Sequence, residues 1–345
     1  MVAAAPALGV SAGWIRDRSF DLRFIVGVAA LALVSGGLVV AEPRVFPLVL
    51  ALDLWLVGYP HVAATFTRLC FERASFRENR RLVLVLPPLV LAATVALSLG
   101  LGAWSLASLY LYWQWFHYTR QSFGVAKIYA RRSELPLPGD ARLERLAFAA
   151  VPVWGILHRS QQAPATFIGA ELRTFPVPSL LVDAAGAVAI ASLALWLATR
   201  AVAAWRGRLP LAHTLYVASH HAVFLTGYLA IDDPTHGWLV VNLWHNLQYV
   251  LFVWLFHAKR FQAGVDASAP LLSRLAQPGE GMLFFAACLA LATAVYGLIQ
   301  LAVGGLAIAL VVYQAINFHH YVVDGLIWKV RSPRLRSALG LRGSA

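Results

Sequence analysis

Long apolar runs constrain the fold of this chain more than any other feature of its sequence. A helix needs about 20 apolar residues to cross the hydrocarbon of a bilayer, and ten such blocks occur within the 345 residues. They lie at 24–41, 45–66, 82–103, 104–126, 144–158, 179–199, 209–231, 237–257, 281–302 and 304–328. The sequence therefore predicts an all-α, polytopic transmembrane helix bundle that forms a single integral membrane domain over residues 1–345.

Composition supports the same class. Hydrophobic residues make up 60% of the chain and charged residues 13%, whereas about a quarter of a soluble domain is charged. This excludes a disordered chain and argues against an ordinary soluble enzyme. A formal net charge of +12 would suggest nucleic acid binding in a soluble protein. Here the arginines lie between apolar blocks, so we expect membrane lipid and no nucleic acid as a partner.

The distribution of basic residues predicts the orientation of the helices. If the N-terminus is cytoplasmic and the chain crosses ten times, the inward segments hold 25 of the 28 Lys and Arg residues. The outward segments hold Arg44, Arg159 and Arg173. Because cytoplasmic loops of membrane proteins are enriched in Lys and Arg, we expect a multi-pass protein with both termini in the cytoplasm.

Histidines are unusually frequent inside the predicted spans. Ionisable groups are costly in hydrocarbon, so they usually face an interior site and mark function. One such histidine could simply bond a neighbouring helix, but eight on five helices favour a shared site. The eight are His61, His117, His213, His220, His221, His245, His319 and His320. We interpret His158, His236 and His257 as surface or interfacial residues, and His213 fits either role.

Polar residues accompany three of these histidines at spacings of three and four, which places them on one helix face. The polar stripes are Gln114, His117, Arg120 and Gln121; Asn242, His245, Gln248 and Tyr249; and Tyr313, Asn317, His320 and Asp324. Metal-bound imidazoles need hydrogen-bonding neighbours of this kind. We therefore predict a metal site with the ligands His61, His117, His220, His221, His245 and His320. Its supporting residues or additional ligands are His319, Asp324, Gln121, Asn242, Tyr249 and Asn317, with Asp53 as a further candidate.

The ligand types favour one class of metal chemistry. Neutral imidazole suits zinc, copper, iron and nickel, and the two cysteines, Cys70 and Cys288, are too few for a thiolate cluster. No HExxH motif of a zinc hydrolase occurs. A histidine-rich apolar cavity favours non-haem iron, as one or two ions, with copper as the alternative. We expect an oxidoreductase that uses O2 and a lipophilic small molecule, with any electron donor external. The sequence assigns no catalytic acid or base.

Three short motifs carry a resemblance to a known family. GYPH at 58–61, FHYTRQ at 116–121 and WHNLQY at 244–249 resemble the Brp/Blh family of bacterial membrane carotene dioxygenases. The resemblance implies a non-haem iron site, a carotenoid-like substrate and a bacterial-type inner (cytoplasmic) membrane. Carried over by position, His61, His117 and His245 would be ligands. The chain departs from the family pattern at Tyr249, where the family has a further histidine.

Three other functions stay open at this point. Two histidines on facing helices could ligate a b-type haem for electron transfer. Intramembrane His and Asp residues could instead relay protons in a proton-coupled transporter. The third alternative is a scaffold protein without chemistry of its own.

Overall fold

The computed structural model describes residues 13–303, 305–329 and 333–341, and this part of the chain is almost wholly helical. We number its helices α1 (Arg18–Ala41), α2 (Pro43–Cys70), α3 (Arg73–Leu101), α4 (Trp104–Arg132), α5 (Ala141–Gln162), α6 (Ser179–Trp205), α7 (Leu211–Leu225), α8 (Pro234–Arg260), α9 (Pro270–Leu275), α10 (Gly281–Val303), α11 (Leu306–Ile327) and α12 (Pro333–Leu339). Strands β1 (Thr166–Phe167) and β2 (Ala170–Glu171) pair antiparallel between α5 and α6. The predicted all-α class is confirmed.

Within the described residues, six helices are long and apolar enough to cross a membrane, namely α1, α2, α3, α6, α8 and α10. The described residues of the other four predicted spans are also largely helical, in α4, α5, α7 and α11. The chain therefore has the character of a multi-pass membrane protein. The count of ten crossings and the cytoplasmic placement of the termini stay predictions, since residues 1–12 and 342–345 lie outside the described residues.

The helices extend beyond several of the predicted apolar blocks. The block predicted at 144–158 belongs to the longer α5, which continues through Pro152, and α3 begins at Arg73 rather than near residue 82. An apolar run marks the part of a helix that can lie in hydrocarbon. Backbone hydrogen bonding continues into the polar residues at either end, so the helix itself is longer.

Helix α8 forms the centre of the bundle. It is almost entirely buried, whereas α3 exposes most of its surface. Helices α1, α2, α4, α7 and α10 contact α8, and α11 contacts α2, α3, α4 and α10. The histidines of α2, α4, α8 and α11 can therefore reach one another across a single interior.

Three helical stretches contain π-helical turns, in which the backbone bonds to i+5 instead of i+4. They are Arg23–Gly27 in α1, Leu54–Gly58 in α2 and Thr226–Ala230, which directly follows α7. The turn in α2 separates Asp53 from His61, and both of these side chains are buried. It therefore sets the direction in which each of them points.

The junction between α7 and α8 is held by one buried arginine. Arg159 of α5 donates hydrogen bonds to the carbonyl oxygens of Gly227 (3.0 Å), Ile231 and Asp232 (2.7 Å). Gly227 and Gly237 let the two backbones meet there, because a Cβ on Gly237 would overlap the Gly227 carbonyl. These contacts fix the start of α8 relative to α5 and α7. They thereby fix the position of His245 along the bundle.

Candidate metal centre

Five potential ligands from four helices meet in the interior of the bundle. They are His61 on α2, His117 on α4, His245 on α8, and His320 and Asp324 on α11. All five side chains are buried. Four of the six histidines predicted as ligands therefore converge, and Asp324, predicted as a supporting residue or ligand, joins them.

The five residues form two overlapping triads. His61, His117 and His245 form one, and His117, His320 and Asp324 form the other. Within each triad, one potential ligand atom per residue lies within 4.8 Å of the others. The imidazole of His117 belongs to both triads, so the two groups of potential ligands adjoin each other.

The separations between these atoms are close to those of a metal coordination sphere. His61 Nε2 lies 2.7 Å from His320 Nε2, and Asp324 Oδ2 lies 3.6 Å from His320 Nε2 and 4.0 Å from His117 Nε2. Bonds of about 2.1 Å to a shared ion place neighbouring ligand atoms roughly 3–4 Å apart. Only small side-chain movements would bring these atoms to coordinating positions.

Four buried polar atoms of the five residues make no hydrogen bond within the part of the chain that the structure describes. They are His61 Nδ1, His117 Nε2, His245 Nε2 and Asp324 Oδ2. A buried donor or acceptor left unsatisfied costs about 1–3 kcal/mol. Each triad contains His117 and at least one more of these residues, so a cation bound in either triad would pair with groups that are otherwise unsatisfied.

A hydrogen-bonded chain holds the α11 side of the cluster. Tyr249 donates to Asp324 Oδ1 (2.6 Å), and Thr65 Oγ1 lies 2.7 Å from the Tyr249 hydroxyl and 2.9 Å from His320 Nδ1. With Tyr249 donating to Asp324, Thr65 can donate to Tyr249 and accept from His320 Nδ1–H. The lone pair of His320 Nε2 then faces the other ligands, as a metal-bound imidazole requires.

A second chain lies beside His245. Asn242 donates to Asp53 Oδ2 (2.5 Å), and Tyr118 donates to Asn242 Oδ1 (2.5 Å). The Tyr118 ring packs on the imidazole of His245, with ring centroids 4.1 Å apart. Asn242 and Asp53, predicted as supporting residues, thus bond each other rather than a ligand histidine, and Tyr118 lies between this pair and His245.

Two predicted ligands on α7 lie in a different part of the bundle. His220 lies within 3.0 Å of Ser122 Oγ and 3.1 Å of the Phe148 carbonyl oxygen, and its ring stacks on that of Phe148. His221 lies beside Trp196, with ring centroids 5.5 Å apart. Neither belongs to a triad of potential ligands among the residues that the structure describes. The physical reason is helix packing, because this face of α7 contacts α4 and α5 rather than α2 and α11.

The remaining predicted supporting residues divide between several positions. His319 Nε2 lies 2.7 Å from the carbonyl oxygen of Leu82, and its ring stacks on Phe66, so it faces α3 and not the cluster. Gln121 and Asn317 each line one of two cavities described below. Each of them shares its cavity wall with residues of the triads.

Three residues around the ligands were not predicted from the sequence. Thr65 lies one turn after His61, Trp328 donates to the Tyr249 hydroxyl (2.9 Å), and the ring of Tyr321 stacks on His117. The spacing of four between His61 and Thr65, and between Asp324 and Trp328, was the available signal. It is weak because threonine and tryptophan are common in membrane helices for other reasons.

Two cavities flank the cluster. The entrance cleft, of about 120 Å³, reaches His117 and Asp324. It is lined by Trp113, Phe116, His117, Arg120, Gln121, Gly124, Val125, Ile128, Tyr249, Phe252, Tyr321, Asp324, Gly325, Trp328, Lys329 and Leu335. The tyrosine chamber, of about 60 Å³, lies against His61, His245 and His320. Its aromatic walls are Tyr59, Tyr110, Tyr118, Tyr296, Tyr313 and Tyr321.

Comparison with known proteins adds no relationship to this geometry. No protein-family model matches the chain. No curated protein matches it. No solved structure matches it.

Proposed function

We propose that this protein is an integral-membrane oxidoreductase whose metal ion is held by His61, His117, His245, His320 and Asp324. The observation that carries the proposal is the convergence of these five residues in two triads that share His117, with His117 Nε2, His245 Nε2 and Asp324 Oδ2 lacking hydrogen bonds among the described residues. Hydrogen bonds alone leave these groups at a cost in the interior, whereas a cation in either triad would pair with His117 and one of the other two.

The donor set favours non-haem iron. It contains imidazole and carboxylate, and the described residues of the two triads include neither Cys70 nor Cys288. His117, His320 and Asp324 have the composition of the two-histidine, one-carboxylate triad typical of iron oxygenases. Iron bound there would supply the binding and activation of dioxygen. The molar ratio of bound metal to protein would distinguish one ion from two. Copper is the alternative metal.

The protein's own residues would exclude water and orient the ligands. Apolar and aromatic walls surround the cluster, so a reactive site would be shielded from bulk solvent. Tyr249 and Thr65 hold Asp324 and His320 in place. A lipophilic substrate could reach His117 along the entrance cleft, where Phe116 is exposed. A carotenoid-like substrate and a bacterial cytoplasmic membrane, both implied by the family resemblance, stay predictions.

The packing of the cluster disfavours a b-type haem. The ring centroid of His61 lies 4.8 Å from that of His245 and 4.5 Å from that of His320. Two axial ligands of one haem must lie on opposite faces of a wide planar ring.

Proton-coupled transport is the second candidate, and one observation favours it. The short contacts from His61 through His320, Thr65 and Tyr249 to Asp324 form a continuous buried chain of titratable or hydroxyl groups. Chains of this kind relay protons in membrane transporters. A transporter would need no bound metal, so metal content separates the two functions.

The test is metal analysis with optical spectroscopy on protein purified without chelators. We expect one or two equivalents of iron, and loss of that metal in His117→Ala, because His117 belongs to both triads. His221→Ala is the matched control, since His221 is also a buried membrane histidine but lies outside the triads. Full metal content in His117→Ala would contradict the proposal, and a Soret band would indicate haem. Protein without metal that moves protons across vesicles would support transport instead.

A further inference from the structure

A groove on the surface of the bundle lies along the C-terminal part of α6, and it shares no lining residue with the two cavities at the histidine cluster. Its walls are the loop 136–139, Leu143 of α5, and residues of α6 and of the turn after it, from Leu195 to Arg208. Its volume of about 460 Å³ corresponds to roughly fifteen water molecules at about 30 Å³ each. A methylene group is similar in size to a water molecule, so the groove has room for most of one acyl chain and not for two.

The loop wall of the groove is held against α6 by two contacts. The buried side chain of Arg200 donates a hydrogen bond to the carbonyl oxygen of Pro138 (3.1 Å). Gly139, at φ +85°, lies so close to α6 that a Cβ there would be 3.1 Å from Thr199 Cγ2. These contacts fix the loop 136–139 relative to the helix, so the groove is part of the packed fold.

One face of α6 forms the opposite wall. Its residues follow one another at spacings of three and four, which places them in a single line along the helix. This α6 stripe consists of Leu195, Ala198, Val202 and Arg206. At a rise of about 1.5 Å per residue, its first and last members lie about 16 Å apart along the helix axis. The order of the residues therefore gives the wall an apolar length that ends in an arginine.

A second arginine lies at the same end of the groove. Helix α6 ends in a Schellman motif, in which Gly207 (φ +66°) donates to the Ala204 carbonyl oxygen (2.9 Å) and Arg208 donates to that of Ala203 (2.8 Å). This turn places Arg208 as well as Arg206 on the groove, and both are exposed. Within the described residues, neither side chain forms a hydrogen bond or an ion pair, and no carboxylate lines the groove.

The tryptophan beside these arginines indicates their depth in a membrane. Trp205 is the last residue of α6 and is 85% exposed. Tryptophans of membrane proteins concentrate at the boundary between hydrocarbon and head groups. The adjoining arginines are therefore at the level of lipid phosphates, which a planar guanidinium can bind through two oxygens at once. The last carbonyl groups of α6 would repel an anion, but backbone N–H groups of Gly207 and Arg208 bond two of them.

We propose that this groove binds one anionic phospholipid, with an acyl chain along the α6 stripe and the phosphate at Arg206 and Arg208. The two arginines complement a negatively charged head group, whereas a zwitterionic lipid would also bring a cation to them. A free phosphate would leave the apolar wall uncovered. The proposal is independent of the metal centre, because no residue of the triads lines the groove.

The test is native mass spectrometry of the full chain in detergent, titrated with phosphatidylglycerol or with phosphatidylcholine of the same acyl chains. We expect one phosphatidylglycerol to bind about tenfold or more tightly than phosphatidylcholine, because each arginine near the membrane surface attracts anionic lipid. Lysophosphatidylglycerol, which has a single chain, should compete for the site, whereas inorganic phosphate should not. Equal affinity for the two phospholipids would overturn the proposal, as would full competition by inorganic phosphate.

Charge variants locate the head group. Arg206→Gln/Arg208→Gln should bind phosphatidylglycerol about tenfold or more weakly and lose its preference over phosphatidylcholine. The matched control is Arg77→Gln/Arg80→Gln, which removes the same charge from two exposed arginines of α3 that do not line the groove. An equal loss in both double variants would mean that net charge alone attracts the lipid, and it would overturn the proposal.

A further variant locates the acyl chain and leaves both arginines in place. Ala198 is exposed and lines the groove, so a tryptophan there would fill the space of the chain. We expect Ala198→Trp to bind phosphatidylglycerol as weakly as the arginine double variant does. Ala201→Trp is its control, because Ala201 is exposed on the same helix outside the groove. Unchanged binding in Ala198→Trp with normal elution in size-exclusion chromatography would contradict the proposed site.

Discussion

Tyr249 donates a hydrogen bond of 2.6 Å to Asp324 Oδ1 and so leaves the second oxygen of that carboxylate to face the histidines. Asp324 Oδ2 has no hydrogen-bond partner among the described residues. The two oxygens of the buried Asp324 carboxylate therefore differ in their contacts. One is anchored by a phenol, and the other is available to a cation.

Replacing that phenol should weaken the metal site without abolishing it. In Tyr249→Phe, Asp324 loses the donor that orients it, so we expect metal affinity to fall about 10–100-fold. Competition with a chelator of known affinity measures the change. Tyr112→Phe is the control, because its hydroxyl bonds Ser160 on α5 instead (2.9 Å). Equal metal affinity in Tyr249→Phe and the wild type would argue against a role for this bond.

His220→Ala should reduce stability and leave the metal in place. The imidazole lies between Ser122 and the Phe148 carbonyl, so its loss removes both of these hydrogen bonds and opens a cavity. We expect a loss of about 2 kcal/mol or more, seen as a lower unfolding temperature in detergent. Loss of metal at an unchanged unfolding temperature would instead identify His220 as a ligand.

Arg159→Met should destabilise the bundle strongly. The substitution removes the donors to Gly227, Ile231 and Asp232 at the junction of α7 and α8. Since hydrogen bonds to charged groups contribute about 1.5–3 kcal/mol each, we expect a loss of about 3 kcal/mol or more.

The matched control for Arg159 is Arg173→Met. Arg173 forms an exposed ion pair with Glu171 (2.9 Å), and exposed pairs contribute about 1 kcal/mol or less. Thermal unfolding of the two variants in the same detergent gives the comparison. Similar unfolding temperatures for both would show that the buried arginine does not hold the junction.

Gly237→Ala should prevent normal packing of α8, whereas Gly297→Ala should not. A methyl group at Gly237 would overlap the Gly227 carbonyl, and α7 and α8 would have to separate. No atom of the described residues lies within 4 Å of the Cβ position at Gly297. Expression and monodispersity should fall sharply for the first variant. The second should be neutral or gain up to about 1 kcal/mol, because alanine favours a helix over glycine. Normal behaviour of Gly237→Ala would contradict the close contact.

The sequence predicted the helices well because each depends on local residues. Apolar runs located the membrane helices, and polar stripes selected His117, His245 and His320 together with Asp324. Spacing along one helix shows which residues share a face, but it does not show which neighbouring helix that face contacts. His220 and His221 satisfied the same criterion as His61, and only the packing of α7 against α4 and α5 separates them from the cluster.

The supporting contacts were partly beyond prediction for a related reason. Asn242 and Tyr249 stood on a polar stripe with His245, so their importance could be inferred. Thr65 carried no comparable signal, since its role depends on Tyr249 and His320, which are more than 180 residues away. Contacts of that range follow from the three-dimensional packing of α2, α8 and α11.

The π turn Leu54–Gly58 also bears on how the sequence of α2 can change. A wide turn holds one residue more than a regular turn, so it is equivalent to a single-residue insertion in the helix. Deleting one residue there would restore regular geometry and rotate everything on one side by about 100° relative to the other. Asp53 and His61 would then no longer both face inward. Among homologues, a length change in this turn should therefore be accompanied by loss of one of these two side chains.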